Sequence, residues 1–447
     1  MSEKADSQRH VLAIAFPILL SNITTPLIGI VDTAAIGQLD APYLIGGVAI
    51  GGVLFSLVYW AFGFLRMGTT GLTAQAEGAG DRKEVAATLI RALILAGVIG
   101  IALILLQGPL GTACFALIEG SDRVERAAQS YYAVRIWGAP AALANYAIIG
   151  WFVGRGDART VLVLTLLLNT INVVLDGLFV LVFDLEVAGV AYGTLVAETV
   201  AAVAGLVLAL RAIKAFRAKP SWARIFEPDR FMKTMTINAD IMVRTLALVF
   251  AFSWFAMKSA EAGDITLAIN AVLINFFHLA AYLLDGFAFA AQALVGQAIG
   301  AASWRQFRNA VTVSSFWALV IGAGLSLSYW FVGGYFIDIL TVNEAVRAQA
   351  RGYLIWVMLA PLTGVACFQL DGIFIGATRT ADMRNMMILS LVIYLIAWWW
   401  LTPLYGNHGL WASLILFFVV RAITLGSRYP ALERACFDQE ARNARRA

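Results

Sequence analysis

Gly71-Leu72-Thr73-Ala74-Gln75-Ala76-Glu77-Gly78-Ala79 and Ala293-Leu294-Val295-Gly296-Gln297-Ala298-Ile299-Gly300-Ala301 are two copies of one stretch. A second match, Gly150-Trp151-Phe152-Val153-Gly154 with Gly372-Ile373-Phe374-Ile375-Gly376, keeps the same offset of 222 residues (297 − 75 and 372 − 150). Two short matches at one constant offset say that the second half of the chain repeats the first. Internal repeats in a hydrophobic chain are the signature of secondary transporters, whose halves rock about a site between them.

The composition fits a bilayer. Of 447 residues, 61% are hydrophobic and 13% charged, too little polar material to cover a soluble protein of this size. Apolar stretches long enough to cross about 30 Å of hydrocarbon recur along the chain. Twelve are expected, at 11–36, 44–68, 85–108, 126–153, 160–182, 188–212, 232–257, 265–297, 306–332, 346–375, 384–403 and 408–427. Interspersed Gly and the lack of long alternating strands favour a helical bundle over a barrel.

Basic residues set the expected topology. With a cytoplasmic N-terminus, the even-numbered connections hold Arg82, Lys83, Arg155, Arg159, the basic stretch 211–233, Arg305, Arg308, Arg379 and Arg384. The opposite face has only Arg123, Arg126, Lys258, Arg347 and Arg351, so both termini are expected in the cytoplasm. The net charge of +4 then reflects membrane orientation, and no nucleic-acid partner is expected. Cys114, Cys367 and Cys436 show neither metal nor redox spacing, and no disulfide framework is expected. The stretch 211–233, with Pro220 and Pro228, is the one obvious boundary. The expected architecture is an all-α integral membrane protein of twelve helices in two pseudo-symmetric six-helix lobes, 1–219 and 220–447.

The residues resemble a family. Val31-Asp32-Thr33-Ala34-Ala35-Ile36-Gly37, Gln75-Ala76-Glu77-Gly78-Ala79-Gly80 and the two-lobe plan are similar to the multidrug and toxic compound extrusion (MATE) transporters. Asn238-Ala239-Asp240-Ile241-Met242-Val243-Arg244-Thr245-Leu246, Asn270-Ala271-Val272-Leu273 and Leu284-Asp285-Gly286-Phe287-Ala288 resemble the DNA-damage-inducible F (DinF) branch. The resemblance covers nearly the whole chain.

A charge inside hydrocarbon costs several kcal/mol unless paired, hydrated or neutralised, so buried acids are candidate sites. Asp32 lies toward the outer end of segment one. Asn172 and Asp176 in segment five are four residues apart and share a helix face. Asn145 in segment four and Thr194 in segment six add oxygens. The resemblance implies that these five positions form an N-lobe cation site. At the same offset, segment eleven has Tyr394 and Trp398 where segment five has Asn172 and Asp176, so coupling is expected in the N-lobe alone. Gln292 stands where the resemblance implies an acid in related members. Asp240 and Arg244 are spaced to neutralise each other along one helix, while Asp285, Asp371 and Glu198 either line a cavity or pack helices. Pro17 and Pro26 interrupt segment one, and the resemblance implies that it bends with the charge state of Asp32. The run Trp398-Trp399-Trp400 reads as an interfacial anchor rather than a drug cage. Met383, Met386 and Met387 read as packing or lipid-facing residues.

Three function classes remain. An ion-coupled multidrug antiporter fits the repeat, the acids and the resemblance. A lipid-linked saccharide flippase would need several cavity-facing basic residues, whereas Arg66, Arg91, Arg135, Arg244 and Arg421 are spread over five helices. A membrane enzyme finds no support in His10, His278 and His408, which form no HExxH pattern, and no P-loop points to ATP drive. The expected protein is therefore a monomeric exporter in the inner membrane of a prokaryote, not an enzyme. It would exchange hydrophobic or cationic drugs and toxic compounds for H+ or Na+, in contact with membrane lipid. No cofactor is expected; the one metal considered is sodium at Asp32, Asn172 and Asp176, since oxygen ligands suit a hard cation.

Overall fold

In hydrocarbon a backbone has no water to bond, so a long apolar segment satisfies itself as a helix. The computed structural model describes residues 2–39, 41–116, 121–217 and 220–444. Within these, the side chains of 2–7, 10, 25–28, 30–31, 33–34 and 438–444 lie outside the description. Among the described residues there are helices and no strand. The first helix, α1 (Ser2–Ile36), carries the shorter apolar stretch Val11–Thr24. Eleven further helices are long and apolar enough to cross a membrane. They are α2 (Pro42–Gly78), α3 (Arg82–Leu105), α4 (Asp122–Gly154), α5 (Ala158–Val182), α6 (Glu186–Ala215) and α7 (Trp222–Glu261). The remainder are α8 (Asp264–Gly300), α9 (Trp304–Leu340), α10 (Glu344–Gly376), α11 (Thr380–Tyr405) and α12 (Asn407–Phe437). The chain is thus an all-helical, multi-pass membrane protein. Pro17 and Pro26 both lie within the span of the α1 helix, the side chain of Pro26 being outside the description.

The repeat read from the sequence is present in backbone geometry. Left-handed residues recur at the same 222-residue offset: Gly80 and Ala302 (φ 67° and 52°), Gly156 and Thr378 (76° and 54°), Asp184 and Gly406 (53° and 55°). The first two pairs mark equivalent turns with matching backbone hydrogen bonds, and a non-glycine residue is tolerated in one copy of each. The following helix starts are capped alike, Asp81 accepting from the Glu84 N–H at 3.1 Å and Ser303 from the Gln306 N–H at 3.4 Å.

Packing repeats as well. A Cβ at Gly150 would collide with the Arg66 carbonyl oxygen, and one at Gly372 with that of Ala288. One turn on, a Cβ at Gly154 would lie 2.6 Å from the Thr70 carbonyl oxygen, and one at Gly376 2.5 Å from that of Gln292. The two Gly-x-x-x-Gly motifs therefore bring α4 against α2, and α10 against α8, with backbones nearly touching. Lipid tails offer no hydrophobic drive for helices to associate, so such close packing does that work. Thr70 Oγ1 adds a cross-helix bond to the Gly150 carbonyl at 3.0 Å.

The contacts divide the chain into two compact units, Leu20–Met235 and Met1–Leu19 with Thr236–Ala447. This differs from the expected division at 219/220. The start of α1 belongs to the second unit, where Leu19 fills the space over Gly286. The connection before residue 236 belongs to the first: Arg91 Nε donates to the Ile225 carbonyl at 2.8 Å, Arg224 pairs with Asp81 and Glu84, and Arg230 reaches Glu84 at 3.0 Å. In the second unit Asn270 and Asn407 exchange amide bonds of 2.8 and 3.0 Å, and Trp411 donates to Asn270 at 2.8 Å.

One expectation is corrected. Asp240 and Arg244 do not pair along their helix. Asp240 accepts from Thr380 Oγ1 at 2.9 Å and from Arg384 at 2.5 Å, while Arg244 pairs with Asp371. Cross-helix partners satisfy these buried groups more fully than one exposed-type i,i+4 contact. Within Trp398-Trp399-Trp400, Trp399 and Trp400 are exposed and Trp398 packs edge to face on Trp254. Met383 and Met387 are buried packing residues.

The glycine contacts give a test. Gly154→Ala and Gly376→Ala each place a methyl against a carbonyl oxygen and should lower the apparent melting temperature in detergent, an overpacking cost of about 1–3 kcal/mol. Gly97→Ala, in α3 with nothing within 4 Å of the added Cβ, should leave it unchanged or raise it, because Ala is the better helix former.

Candidate functional site

Several buried polar atoms of the first unit lack a hydrogen-bond partner, and among them are carboxyl oxygens of Asp32 and Asp176, on α1 and α5. The α5 sequence places Asn172 and Asp176 one turn apart, both fully buried. Directly after Asp176 the helix widens into a π-helical turn, Gly177–Val182, a distortion that recurs at functional sites. Asn172 Nδ2 donates to Thr194 Oγ1 on α6 at 3.2 Å, and that hydroxyl donates to the Val190 carbonyl at 3.0 Å. The Asp176 carboxyl lies beside Asn172 and beside the carboxyl of Asp32, which α1 contributes. Asp32 is 8% exposed and Asp176 is not exposed at all.

Four oxygens meet here without a donor: Asp32 Oδ1, Asn172 Oδ1 and both carboxyl oxygens of Asp176. Two neighbouring carboxylates in a buried place repel strongly unless a proton or a small cation stands between them. The donor set, two carboxyls with an amide and a hydroxyl oxygen close by, is chemically suited to either. Gly193 on α6 leaves the room that the Asp176 carboxyl occupies, since a Cβ there would run into Asp176 Oδ1.

Asp32, Asn172, Asp176 and Thr194 are thus brought together as the sequence led one to expect. Asn145 is placed differently. Its Nδ2 donates to the Glu198 backbone carbonyl at 2.9 Å, which ties α4 to α6 one turn beyond Thr194. The sequence named two further groups singly but not as partners. Arg135 and Glu198 form a buried ion pair with bonds of 2.8 and 2.5 Å, and the guanidinium lies 5.4 and 5.2 Å from the Phe55 and Tyr59 ring centroids. Arg135 is also near enough to act electrostatically on Asp32. Glu198 lies one turn after Thr194, a spacing that marks a shared face but cannot reveal a partner on another helix.

Four of the five intramembrane arginines have carboxylate or carbonyl partners. Arg91 is held by Glu84 and two carbonyls, Arg135 by Glu198, and Arg244 and Arg421 by Asp371, the last at 2.7 Å.

The model of the MatE family matches the chain twice, over residues 17–178 and 241–400, once in each half. The chain belongs to the MatE family. It is 36% identical over 432 residues to the DNA damage-inducible protein F of Escherichia coli (strain K12), which covers 96% of this chain and 93% of that one. Identity to a probable multidrug resistance protein NorM of Chromobacterium violaceum is 22%, over 93% and 92% of the two chains. Among solved structures, a MATE protein in the bent conformation superposes with a TM-score of 0.87 at 18% identity, covering 97% of this chain and 98% of that one. A transporter of the MOP superfamily from Pyrococcus furiosus gives 0.85 at 18% identity, over 96% of each. These likenesses show the MATE fold, and the family and its DinF-like branch follow from the sequence matches.

An orphaned carboxyl beside a second one costs stability that function must justify. Asp176→Asn supplies a donor to Asp32 and removes one charge, so it should raise the apparent melting temperature at neutral pH and low sodium, by about 1–3 kcal/mol of stability. A lower melting temperature would mean that the pair is already satisfied.

Proposed function

We propose that this MATE protein is a secondary active exporter that moves hydrophobic and cationic compounds by alternating access, in exchange for protons or sodium ions, coupled through the carboxyls of the first unit. The observation that carries the reading is the adjacency of Asp32 and Asp176 with four donorless oxygens. Such a pair is indifferent to the drug but cannot stay doubly charged and dry. A proton or sodium ion neutralises it in one state of the cycle and leaves it in the other. Thr194 orients Asn172 beside the acids, and Glu198 holds the Arg135 guanidinium near Asp32. The substrate class rests on family membership and on the multidrug resistance relatives. On this reading both termini are cytoplasmic and the protein sits in the inner membrane of a prokaryote.

The flippase alternative loses ground because Arg91, Arg135, Arg244 and Arg421 are occupied by carboxylates or carbonyls, which leaves none of these four free to hold a pyrophosphate.

Everted vesicles with pH and sodium gradients imposed separately test the coupling. Asp32→Asn and Asp176→Asn each keep side-chain size and remove ionisation. Both should insert at normal levels and lose gradient-driven drug accumulation by more than tenfold, while any leak down the drug's own gradient persists. Normal gradient-driven export by both variants would remove the acid pair from the mechanism.

A further inference from the structure

Where the first unit has its acids, the second has rings. The 222-residue offset leads from Asp32 to Trp254 and from Asp176 to Trp398. The two indoles meet edge to face with centroids 4.9 Å apart. The Lys258 ammonium lies 4.9 Å from the Trp254 centroid and 5.1 Å from that of Trp398. An ammonium shared by two aromatic rings is how quaternary ammonium ligands are recognised. Simple packing does not account for this pair, because buried indole N–H groups ordinarily find an acceptor. Here Trp254 Nε1 and Trp398 Nε1 are both buried and bond to nothing, as does Thr402 Oγ1 one turn further along α11.

The Lys258 side chain is 17% exposed, and its ammonium also bonds Glu261 at 2.7 Å, a residue 57% exposed. It can swing away from the indoles and keep its counter-charge.

We propose that the Trp254–Trp398 pair is a binding site for an organic cation of the tetraalkylammonium or protonated-amine class, filled in the absence of ligand by the Lys258 ammonium. The two halves of the repeat then hold cations by opposite means. Carboxyl oxygens suit a proton or a small ion that can be approached closely. Ring faces suit a bulky, weakly hydrated cation that sheds water cheaply. Lys258 acts as a tethered competitor, present at the rings at an effective concentration of order mM. The idle indole N–H groups serve an acceptor carried on the same ligand. The site lies wholly within the second unit and does not depend on coupling through Asp32 and Asp176.

Equilibrium dialysis of radiolabelled tetraethylammonium against the purified full-length protein tests this. Trp254→Leu or Trp398→Leu should weaken binding about tenfold, the size of a desolvated cation–π contact. The Phe substitutions preserve packing and should fall between parent and Leu. Lys258→Ala should tighten binding severalfold, and this gain should vanish when combined with Trp398→Leu. Binding is read at equilibrium, at fixed pH and sodium and with no gradient, whereas coupling is read as gradient-driven accumulation, so failure of the coupling mechanism and failure of this site give different results. Affinity insensitive to Trp398→Phe, Trp398→Leu and Lys258→Ala overturns the proposal. So does the absence of binding by monodisperse Lys258→Ala protein.

Discussion

Hydrocarbon gives a polar group nothing to bond, and that constraint organises this molecule. It makes the apolar stretches helices, and it turns charged side chains toward one another across helices. Arg135 meets Glu198, Arg244 and Arg421 meet Asp371, and Asp240 meets Arg384 and Thr380. Against that background a buried carboxyl without a donor is conspicuous. Asp176 has two such oxygens and Asp32 one, and they are neighbours. Glu198 and Asp371, by contrast, are held by arginines, and the proposed cation exchange rests on that difference.

The same constraint explains how the repeat holds. Helices in lipid associate where their backbones can approach, and the chain provides this twice with the same glycines. The Gly150 and Gly154 contacts on α2 recur as the Gly372 and Gly376 contacts on α8. The left-handed turns at Gly80 and Gly156 recur at Ala302 and Thr378. The framework was copied and kept, whereas the chemistry hung on it diverged. Carboxyls in one unit stand where indoles stand in the other, so one scaffold presents two ways of holding positive charge.

Much of this could be read from the residues. Hydropathy located the helices because length and composition are local properties. The Gly-x-x-x-Gly matches exposed the repeat because close packing admits almost no other residue. Asn172 and Asp176 announced a shared face through their spacing. Partners on different helices were out of reach. Asp240 finds Arg384 144 residues away, and no local rule prefers that to Arg244 four residues away. Glu198 and Arg135 were each visible as charges in an apolar run, but not as a pair. The contact of Trp398 was out of reach for the same reason: three consecutive tryptophans look alike in sequence, and only the helix rotation shows that one meets Trp254 while two face out.

The central claim is that the acid pair of the first unit exchanges its cation for drug. If ion and drug favour different states of one two-state protein, each must weaken the other's binding by the same factor. The direct measurement is equilibrium binding of a fluorescent cationic drug to the purified protein, across pH at fixed sodium and across sodium at fixed pH. The account predicts that drug affinity falls as protons or sodium load the pair, that bound drug weakens the ion by an equal factor, and that Asp32→Asn with Asp176→Asn abolishes both effects. Drug affinity independent of both ions, in protein that still transports, would contradict it.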